Sequence, residues 1–221
     1  MAGNGYRHAM SRLLLICALL AGISFQFVKD GPPGAGLIAW KGAGVALLAI
    51  WAASEAWDRK GWLLVAVLAF GALGDVLLET SGTVVGAIAF LIGHVLAITL
   101  YLGASRSSLR RSIFATALSA CVIAGAAFAL TADKGVAVYG LALGGMAGAA
   151  LASRFDRRLV GLGAVLFVVS DLLIFAKGSA LAGSLLPGLL IWPTYFAAQA
   201  LIAIGVVSGL RGGQGGPIST R

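Results

Sequence analysis

Residues 61–79, GWLLVAVLAFGALGDVLLE, are apolar apart from two acidic side chains, Asp75 and Glu79. A helix of this length rises about 28 Å, at about 1.5 Å per residue, and so matches the hydrocarbon core of a bilayer, which is about 30 Å thick. Polar and apolar residues do not alternate, as they would in a strand of a membrane β-barrel. The stretch therefore predicts a membrane-spanning α-helix that carries acidic side chains.

The same apolar character recurs along the whole chain of 221 residues. Hydrophobic residues make up 60% of it and charged residues only 11%, and the mean hydropathy is +0.99. A water-soluble domain of this size would need far more polar residues to cover its core. The predicted spans are, roughly, residues 11–28, 37–57, 61–79, 83–103, 111–131, 135–153, 159–177 and 187–209.

These spans predict an all-α polytopic membrane protein, a bundle of eight transmembrane helices embedded in the lipid bilayer. We expect a single transmembrane domain over residues 1–210, because the loops are short and leave no room for a soluble domain. The glycine-rich residues 211–221, RGGQGGPISTR, predict a disordered cytoplasmic tail. The oligomeric state stays open.

The basic residues give the chain a net charge of +8, but they lie in short loops rather than on one face of a domain, so we expect no nucleic-acid partner. Three of them, Lys29, Lys134 and Lys177, belong to loops or span ends on one side of the membrane. Twelve belong to the termini and loops of the other side: Arg7, Arg12, Arg59, Lys60, Arg106, Arg110, Arg111, Arg154, Arg157, Arg158, Arg211 and Arg221. Because Lys and Arg accumulate in cytoplasmic loops, both termini are predicted to be cytoplasmic. Richness in Arg, Ala and Gly suggests the inner membrane of a bacterium.

Metal and cofactor chemistry has no sequence signal. Cys17 and Cys121 each lie within an apolar span, and His94 is the one histidine inside a span, so no closely spaced set of ligands exists. We therefore expect no metal and no cofactor. A short similarity between ALGDVLL (72–78) and VVSDLLI (168–174) aligns around an acid and suggests a parallel repeat of four plus four helices.

Polar side chains at membrane depth cost several kcal/mol unless they are paired or hydrated, so each is a functional candidate. The candidates are Lys41, Asp75, Glu79, His94, Ser170, Asp171, Tyr195 and Gln199.

The helical rise gives the depth of each candidate below the outer boundary. Lys41 and Asp75 lie roughly 6 Å deep, Asp171 roughly 9 Å, Tyr195 roughly 12 Å and His94 roughly 16 Å. These residues come from five different spans, yet they share the outer half of the membrane. We infer one buried polar pocket that opens toward the outer leaflet.

Structural roles remain open for several candidates. Asp75 and Lys41 share a depth and could form an ion pair. His94 could be a core histidine that bonds a neighbouring helix. Tyr195 and Gln199 are i, i+4 neighbours and could simply bridge helices.

The remaining acidic residues, Asp171, Glu79 and Glu55, differ in how well a structural role accounts for their positions. Asp171, within VLFVVSDLLIFA, has only Ser170 as a local polar neighbour, so a purely structural role explains it poorly. Glu79 is expected at the rim of the pocket. Glu55 lies near the inner boundary and is expected to be a solvated helix end.

The candidates form an ordered set of sequence pieces that resembles a known family. The pieces are Lys41 at the start of the second span, GDVLL (74–78), FLIGH (90–94), LFVVSD (166–171) and PTYFAAQALI (193–202). Over about residues 36–207 the chain is similar to the YhhN family of integral membrane proteins, which includes the animal lysoplasmalogenases.

The resemblance implies hydrolysis of the vinyl ether bond of a lysoplasmalogen, a lysophospholipid, to a fatty aldehyde and a glycerophospho-ethanolamine or -choline. Such a reaction needs one carboxylic acid that is neutral and one carboxylate that is charged. We expect Asp75 and Asp171 to be this catalytic pair. Asp171, without a local cation, is expected to donate the proton, and Asp75, level with Lys41, is expected to be ionised.

The remaining candidates are expected to bind the substrate. His94, Tyr195 and Gln199 would orient water and the glycerol hydroxyl, with Ser170 and Glu79 nearby. Lys41 would meet the lipid phosphate near the headgroup level.

Two other functions fit the same residues. A small-solute or proton-coupled transporter would use intramembrane acids and a four-plus-four repeat, but it needs a route to both faces of the membrane. A lipid-binding or structural membrane protein without turnover would tolerate neutral replacements of the acids.

Overall fold

The computed structural model describes residues 2–212, and within them the eight predicted spans are eight α-helices. The helices are α1 (Ala2–Val28), α2 (Ala35–Glu55), α3 (Arg59–Thr80), α4 (Thr83–Leu102), α5 (Leu109–Thr131), α6 (Lys134–Ala152), α7 (Leu162–Ala176) and α8 (Leu186–Gly212). Seven of these helices contain a segment that is long and apolar enough to cross a membrane, and α7 reaches that length together with the helical turn before it, as residues 157–176. A single π-helical turn, Arg157–Gly161, leads directly into α7. The prediction of an all-α bundle of eight spans is confirmed.

The predicted tail is described only in part. Arg211 and Gly212 belong to α8, and residues 213–221 lie outside the described residues, as does Met1. The predicted orientation of the termini and the predicted repeat stay predictions.

Three acidic residues have local structural roles at helix starts. Asp58 accepts a hydrogen bond from the backbone N–H of the third residue of α3 (2.8 Å), and Asp133 accepts two from the first turn of α6 (2.6 and 3.1 Å). Asp156 accepts one from the π-helical turn (2.6 Å). Side-chain acceptors of this kind satisfy the free donors at a helix start. Asp75 and Asp171 lie inside helices, so no such role explains them.

Neighbouring helices pack side by side in chain order, and two helices tie the bundle together. α8 contacts α1, α2, α3 and α7, and α6 contacts α4, α5 and α7. α5 and α6 approach each other closely, since a Cβ at Gly144 would lie 2.5 Å from the carbonyl oxygen of Ser119. Small residues allow this approach between membrane helices. By contrast, no Cα atoms of α4 and α7 come within 8 Å of each other, and this gap contains the site described below.

The bundle has two ends. We call the end that holds the loops α2–α3, α4–α5 and α6–α7 the arginine-rich end, and the other the opposite end. The half toward the arginine-rich end is packed with fully buried apolar side chains from four helices. They include Leu48, Leu64, Leu68, Leu100 and Leu143. This half is filled by apolar side chains.

Glu55, at the arginine-rich end, is not the solvated helix end that the sequence suggested. Its side chain is only 14% exposed. It accepts hydrogen bonds from Ser11 of α1 and from Nε of Arg211 of α8 (2.9 Å for the second), and Trp51 donates to Ser11 (3.1 Å). The prediction was wrong because three helix ends converge here, which distance along one helix does not reveal.

Candidate functional site

Asp75 lies on α3 and is 2% exposed. The hydroxyl of Tyr195, on α8, donates a hydrogen bond to its Oδ2 atom (2.8 Å). One turn further along α8, the Gln199 amide donates to the same hydroxyl oxygen (3.3 Å). The approach depends on a glycine, because a Cβ at Gly71 would lie 2.7 Å from Gln199 Nε2. Three of the predicted residues therefore form one hydrogen-bonded chain between α3 and α8, which we call the Asp75 centre.

Asp171 lies on α7, is 5% exposed, and has a tyrosine partner of its own. The hydroxyl of Tyr139, on α6, donates to Asp171 Oδ2 (2.8 Å). His94 Nε2, on α4, lies 3.1 Å from the same hydroxyl oxygen. With Asp171 ionised, the one hydroxyl proton is donated to its carboxylate, so the histidine donates its Nε2–H to the tyrosine oxygen. These residues form the Asp171 centre, which joins α4, α6 and α7.

Aromatic rings connect the two centres across the gap between α4 and α7. The centroid of the Phe167 ring lies 5.4 Å from that of Tyr195 and 5.0 Å from that of His94. The Phe90 ring lies 5.8 Å from Tyr195 and 6.4 Å from Phe167, each in an edge-to-face arrangement. Aromatic pairs at these separations attract each other. Both centres therefore border one aromatic cluster.

The position before Asp75 makes room for this cluster. A Cβ at Gly74 would lie 2.6 Å from the ring of Phe90. The glycine thus allows the ring to pack against α3 beside the acid, and a larger residue would displace it.

Each carboxyl group has one oxygen that no protein group occupies. The hydrogen bonds to Asp75 and Asp171 within residues 9–212 all end on Oδ2. In this part of the chain, Gln26 Oε1 is the one side-chain oxygen or nitrogen that is fully enclosed and has no hydrogen-bond partner. Neither Oδ1 atom is in that state, so each has some accessible surface. Both Oδ1 atoms are therefore available to a small reactant or to water.

Lys41 does not pair with Asp75. Its ammonium group lies 2.6 Å from Oε1 of Glu79, and the two side chains are 18% and 48% exposed. The ion pair between Lys41 and Asp75, which the shared depth left open as an alternative, does not form. Glu79 lies one turn beyond Asp75 on the same face of α3, closer to the opposite end. It forms the ion pair with Lys41 there. Glu79 thus does lie at a partly exposed edge, next to Lys41.

Ser170 holds helices together. It is fully buried, and its hydroxyl donates to the carbonyl oxygen of Ile191 on α8 (3.0 Å). Pro193 lies within α8 and cannot donate a backbone hydrogen bond to Leu189. The amide of Gln26 on α1 reaches that carbonyl instead, at 3.5 Å. Side chains of α1 and α7 thus satisfy backbone oxygens beside the proline, as a bilayer requires.

Tyr139 is a site residue that the sequence interpretation missed. It lies five residues into α6, which places it about 8 Å from the start of the helix, at 1.5 Å per residue. That depth matches the depths of Asp75 and Asp171, so the same calculation could have found it.

The site offers no evident place for a metal ion. Within the described residues, no three or more His, Cys, Asp or Glu side chains are grouped so that they could hold one. The chemistry that this arrangement can perform is proton transfer, since it brings together two carboxyl groups, two phenols and an imidazole.

The comparisons with known proteins agree with the resemblance seen in the sequence. A family model, described as the YhhN family, matches residues 37–206, which is more than half of the chain. No curated protein and no solved structure matches. The match includes every helix that contributes to the two acid centres. The chain therefore belongs to the YhhN family.

Proposed function

We propose that this protein is a membrane-embedded lipid hydrolase that cleaves the vinyl ether bond of lysoplasmalogen. The observation that carries the proposal is the pair of buried carboxyl groups, Asp75 and Asp171. Each has one oxygen held by a tyrosine and one oxygen free, and both border the same aromatic cluster. Family membership supports the choice of substrate, because the family is associated with lysoplasmalogenase.

The first step is protonation of the vinyl ether. Asp171, in its acid form, donates its proton to the alkene carbon that is remote from the ether oxygen. The alkene electron pair forms the new C–H bond, and an oxygen lone pair completes an oxocarbenium ion. Asp171 is then a carboxylate and accepts the hydrogen bond from Tyr139. This hydrogen bond becomes stronger as negative charge develops on Asp171, and it therefore lowers the barrier to proton transfer.

The second step adds water and releases the products. The carboxylate of Asp75 stabilises the cation and takes a proton as water adds to the carbon next to the ether oxygen, which gives a hemiacetal. The Asp171 carboxylate then removes the hemiacetal hydroxyl proton, and the Asp75 acid protonates the departing glycerol oxygen. One water is consumed, an aldehyde and a glycerophospho-headgroup leave, and both carboxyl groups return to their starting states.

His94 and Tyr139 give Asp171 a route for proton exchange. When Asp171 carries its proton on Oδ2, that O–H donates to the Tyr139 oxygen and the tyrosine donates to His94 Nε2. For transfer to the alkene the proton lies on the free Oδ1, and Tyr139 then donates to Oδ2. When Asp171 is ionised, the Tyr139 hydroxyl donates to Asp171 Oδ2, and His94 Nε2–H donates to the Tyr139 oxygen. The three groups thus support either state of Asp171 without moving.

The substrate would bind along the gap between α4 and α7. Its single chain would lie against Phe90 and Phe167, and its phosphate would lie near Lys41, which is partly exposed beside Glu79. Tyr195 and Gln199 would orient water near Asp75. This pose has the headgroup at the opposite end, and we propose the inner membrane of a bacterium as its location, with both termini cytoplasmic.

The structure gives less support to a carrier. A carrier must open to both faces, but the half toward the arginine-rich end is filled by buried leucines. At that end the hydrogen bonds of Glu55 also join α2 to α1 and α8. A hydrolase needs access from one side alone.

The test is aldehyde release from lysoplasmalogen by the purified full chain in lipid nanodiscs. We expect turnover by the wild type and by Asp30→Asn, a matched control whose side chain is 86% exposed. Asp171→Asn and Asp75→Asn should each reduce the rate at least about 100-fold, the range in which general acid–base groups contribute. Full activity of both variants, or no turnover by the wild type, would overturn the proposal.

A second readout tests the chemistry directly. In D₂O the released aldehyde should carry one deuterium on the carbon next to the carbonyl, because that carbon receives the acid proton. The matched lysolipid with a saturated ether, which lacks the alkene, should not react. An unlabelled aldehyde would exclude protonation at carbon.

A further inference from the structure

The arginine-rich end carries a groove that is separate from the two acid centres. It has a volume of about 480 Å³ and lies where α5 and α6 meet the loops α4–α5 and α6–α7. We call it the arginine groove. Its defining lining residues are Arg106, Arg111, Arg157, Leu118, Val122 and Leu151.

The three guanidinium groups have no acidic partner within residues 9–212. The salt bridges there join Lys29 to Asp30, Lys41 to Glu79 and Arg211 to Glu55, none of which lines the groove. Arg106 donates one long hydrogen bond, 3.4 Å, to the carbonyl oxygen of Phe155. Three fixed positive charges at one site attract an anion, and a guanidinium matches the geometry of phosphate oxygens.

Backbone hydrogen bonds between the two loops hold Arg106 in place. The two loops pair through the N–H of Arg106, which donates to Ala152 (3.0 Å), and the N–H of Arg154, which donates to Ala104 (2.8 Å). An anion would therefore meet a partly organised set of donors, which reduces the entropy cost of binding.

The rest of the groove is apolar and faces outward. Leu118 and Val122, on α5, are 56% and 60% exposed, and Leu151, on α6, is 41% exposed. α5 is the most peripheral helix, with only Ser112 and Ala127 buried among its residues. In a bilayer these side chains lie against acyl chains. The groove is thus cationic at one end and lipid-facing at the other.

We propose that the arginine groove binds an anionic membrane phospholipid, with its phosphate on Arg106, Arg111 and Arg157 and an acyl chain along α5. The volume falls within the range of small-molecule sites, about 300–1,000 Å³. Basic pockets between membrane helices at the headgroup level attract anionic lipids. A zwitterionic headgroup fits less well, because its ammonium group is repelled by the arginines that the phosphate leaves unneutralised. The site is independent of the hydrolysis proposed above.

The experiment is native mass spectrometry of the detergent-solubilised full chain with phosphatidylglycerol or with phosphatidylcholine of the same acyl chains. We expect phosphatidylglycerol to bind at least about tenfold more tightly. Arg111→Gln combined with Arg157→Gln should abolish this preference. The matched control is Arg110→Gln combined with Arg158→Gln, which removes the same charge from the same segments but lies outside the groove lining. The control should retain binding within about twofold.

Each other outcome contradicts the proposal. Equal losses in both double variants would mean that general surface charge attracts the lipid, and no loss in either would mean that the groove is not the site. Displacement of the lipid by equimolar glycerol phosphate would show that the apolar wall contributes nothing. Arg157→Gln alone serves if the double variant does not fold, and thermal melting of every variant provides the folding control.

Discussion

The Asp75 centre and the Asp171 centre begin alike and then differ. Each has a buried carboxyl group whose Oδ2 accepts a hydrogen bond from a tyrosine at 2.8 Å. The hydroxyl oxygen of Tyr195 is hydrogen-bonded to the amide of Gln199, which belongs to the same helix. The hydroxyl oxygen of Tyr139 is hydrogen-bonded to the imidazole of His94, which belongs to a different helix.

This difference separates the roles of the two acids. An amide can donate a hydrogen bond but does not gain or lose a proton near neutral pH, whereas an imidazole can do both. Asp171 therefore has a neighbour that can exchange a proton with it through Tyr139, and Asp75 has a neighbour that only orients its tyrosine. The comparison supports Asp171 as the acid that protonates the alkene and Asp75 as the group that is a carboxylate when the reaction starts.

Removing one hydroxyl from each centre gives the largest contrast. Tyr139→Phe should lower kcat about 100-fold and Tyr195→Phe about 10-fold, measured as aldehyde release. Both changes leave a buried carboxylate oxygen without its donor, which costs about 1–3 kcal/mol. Only Tyr139→Phe also cuts the route to His94. Equal losses in the two variants would remove the distinction between the centres.

Replacing the imidazole tests the relay with a smaller effect. His94→Gln keeps a hydrogen-bond donor near Tyr139 but cannot exchange a proton. We expect kcat to fall about 10-fold, within the general acid–base range, and the pH dependence of kcat to flatten while the melting temperature changes little. Gln199→Met is the counterpart in the Asp75 centre and should keep the wild-type shape of the pH profile. A wild-type profile in His94→Gln would rule out the relay.

The smallest effect is expected outside both centres. Lys41→Gln and Glu79→Gln should each change kcat less than about twofold, because neither side chain bonds to Asp75 or Asp171. A partly exposed ion pair also contributes only about 0–1 kcal/mol to stability, so both variants should fold. If Lys41 binds the phosphate of the substrate, Lys41→Gln should raise KM and leave kcat nearly unchanged. A loss of kcat in Lys41→Gln as large as that in Asp75→Asn would show that Lys41 serves Asp75 after all.

The fold could be predicted because bilayer physics leaves few choices. Apolar stretches of spanning length, such as residues 61–79, must form helices whose backbone bonds are satisfied internally. The order of helices and the polar residues at membrane depth followed from the same patterns.

The site was predictable in depth but not in direction. Depth along a helix correctly grouped Asp75 with Tyr195, but it could not show which way each side chain points around its helix. For that reason depth alone left an ion pair of Lys41 with Asp75 open, whereas the structure pairs Lys41 with Glu79, one turn away on the same face. The rotation of α6 that brings Tyr139 between His94 and Asp171 depends on the close packing of the bundle, which the sequence does not display.

The hydrogen bond between Asp75 and Tyr195 has a consequence for how the chain is made. The two residues are 120 positions apart, so α3 enters the membrane long before its partner on α8 has been synthesised. During that interval an acid that costs several kcal/mol in lipid has no tyrosine to bond. α8, which is synthesised well after α3, is therefore the helix that removes this penalty. A chain that stops short of α8 would display an unsatisfied polar group, a feature by which membrane quality control could distinguish unfinished molecules from finished ones.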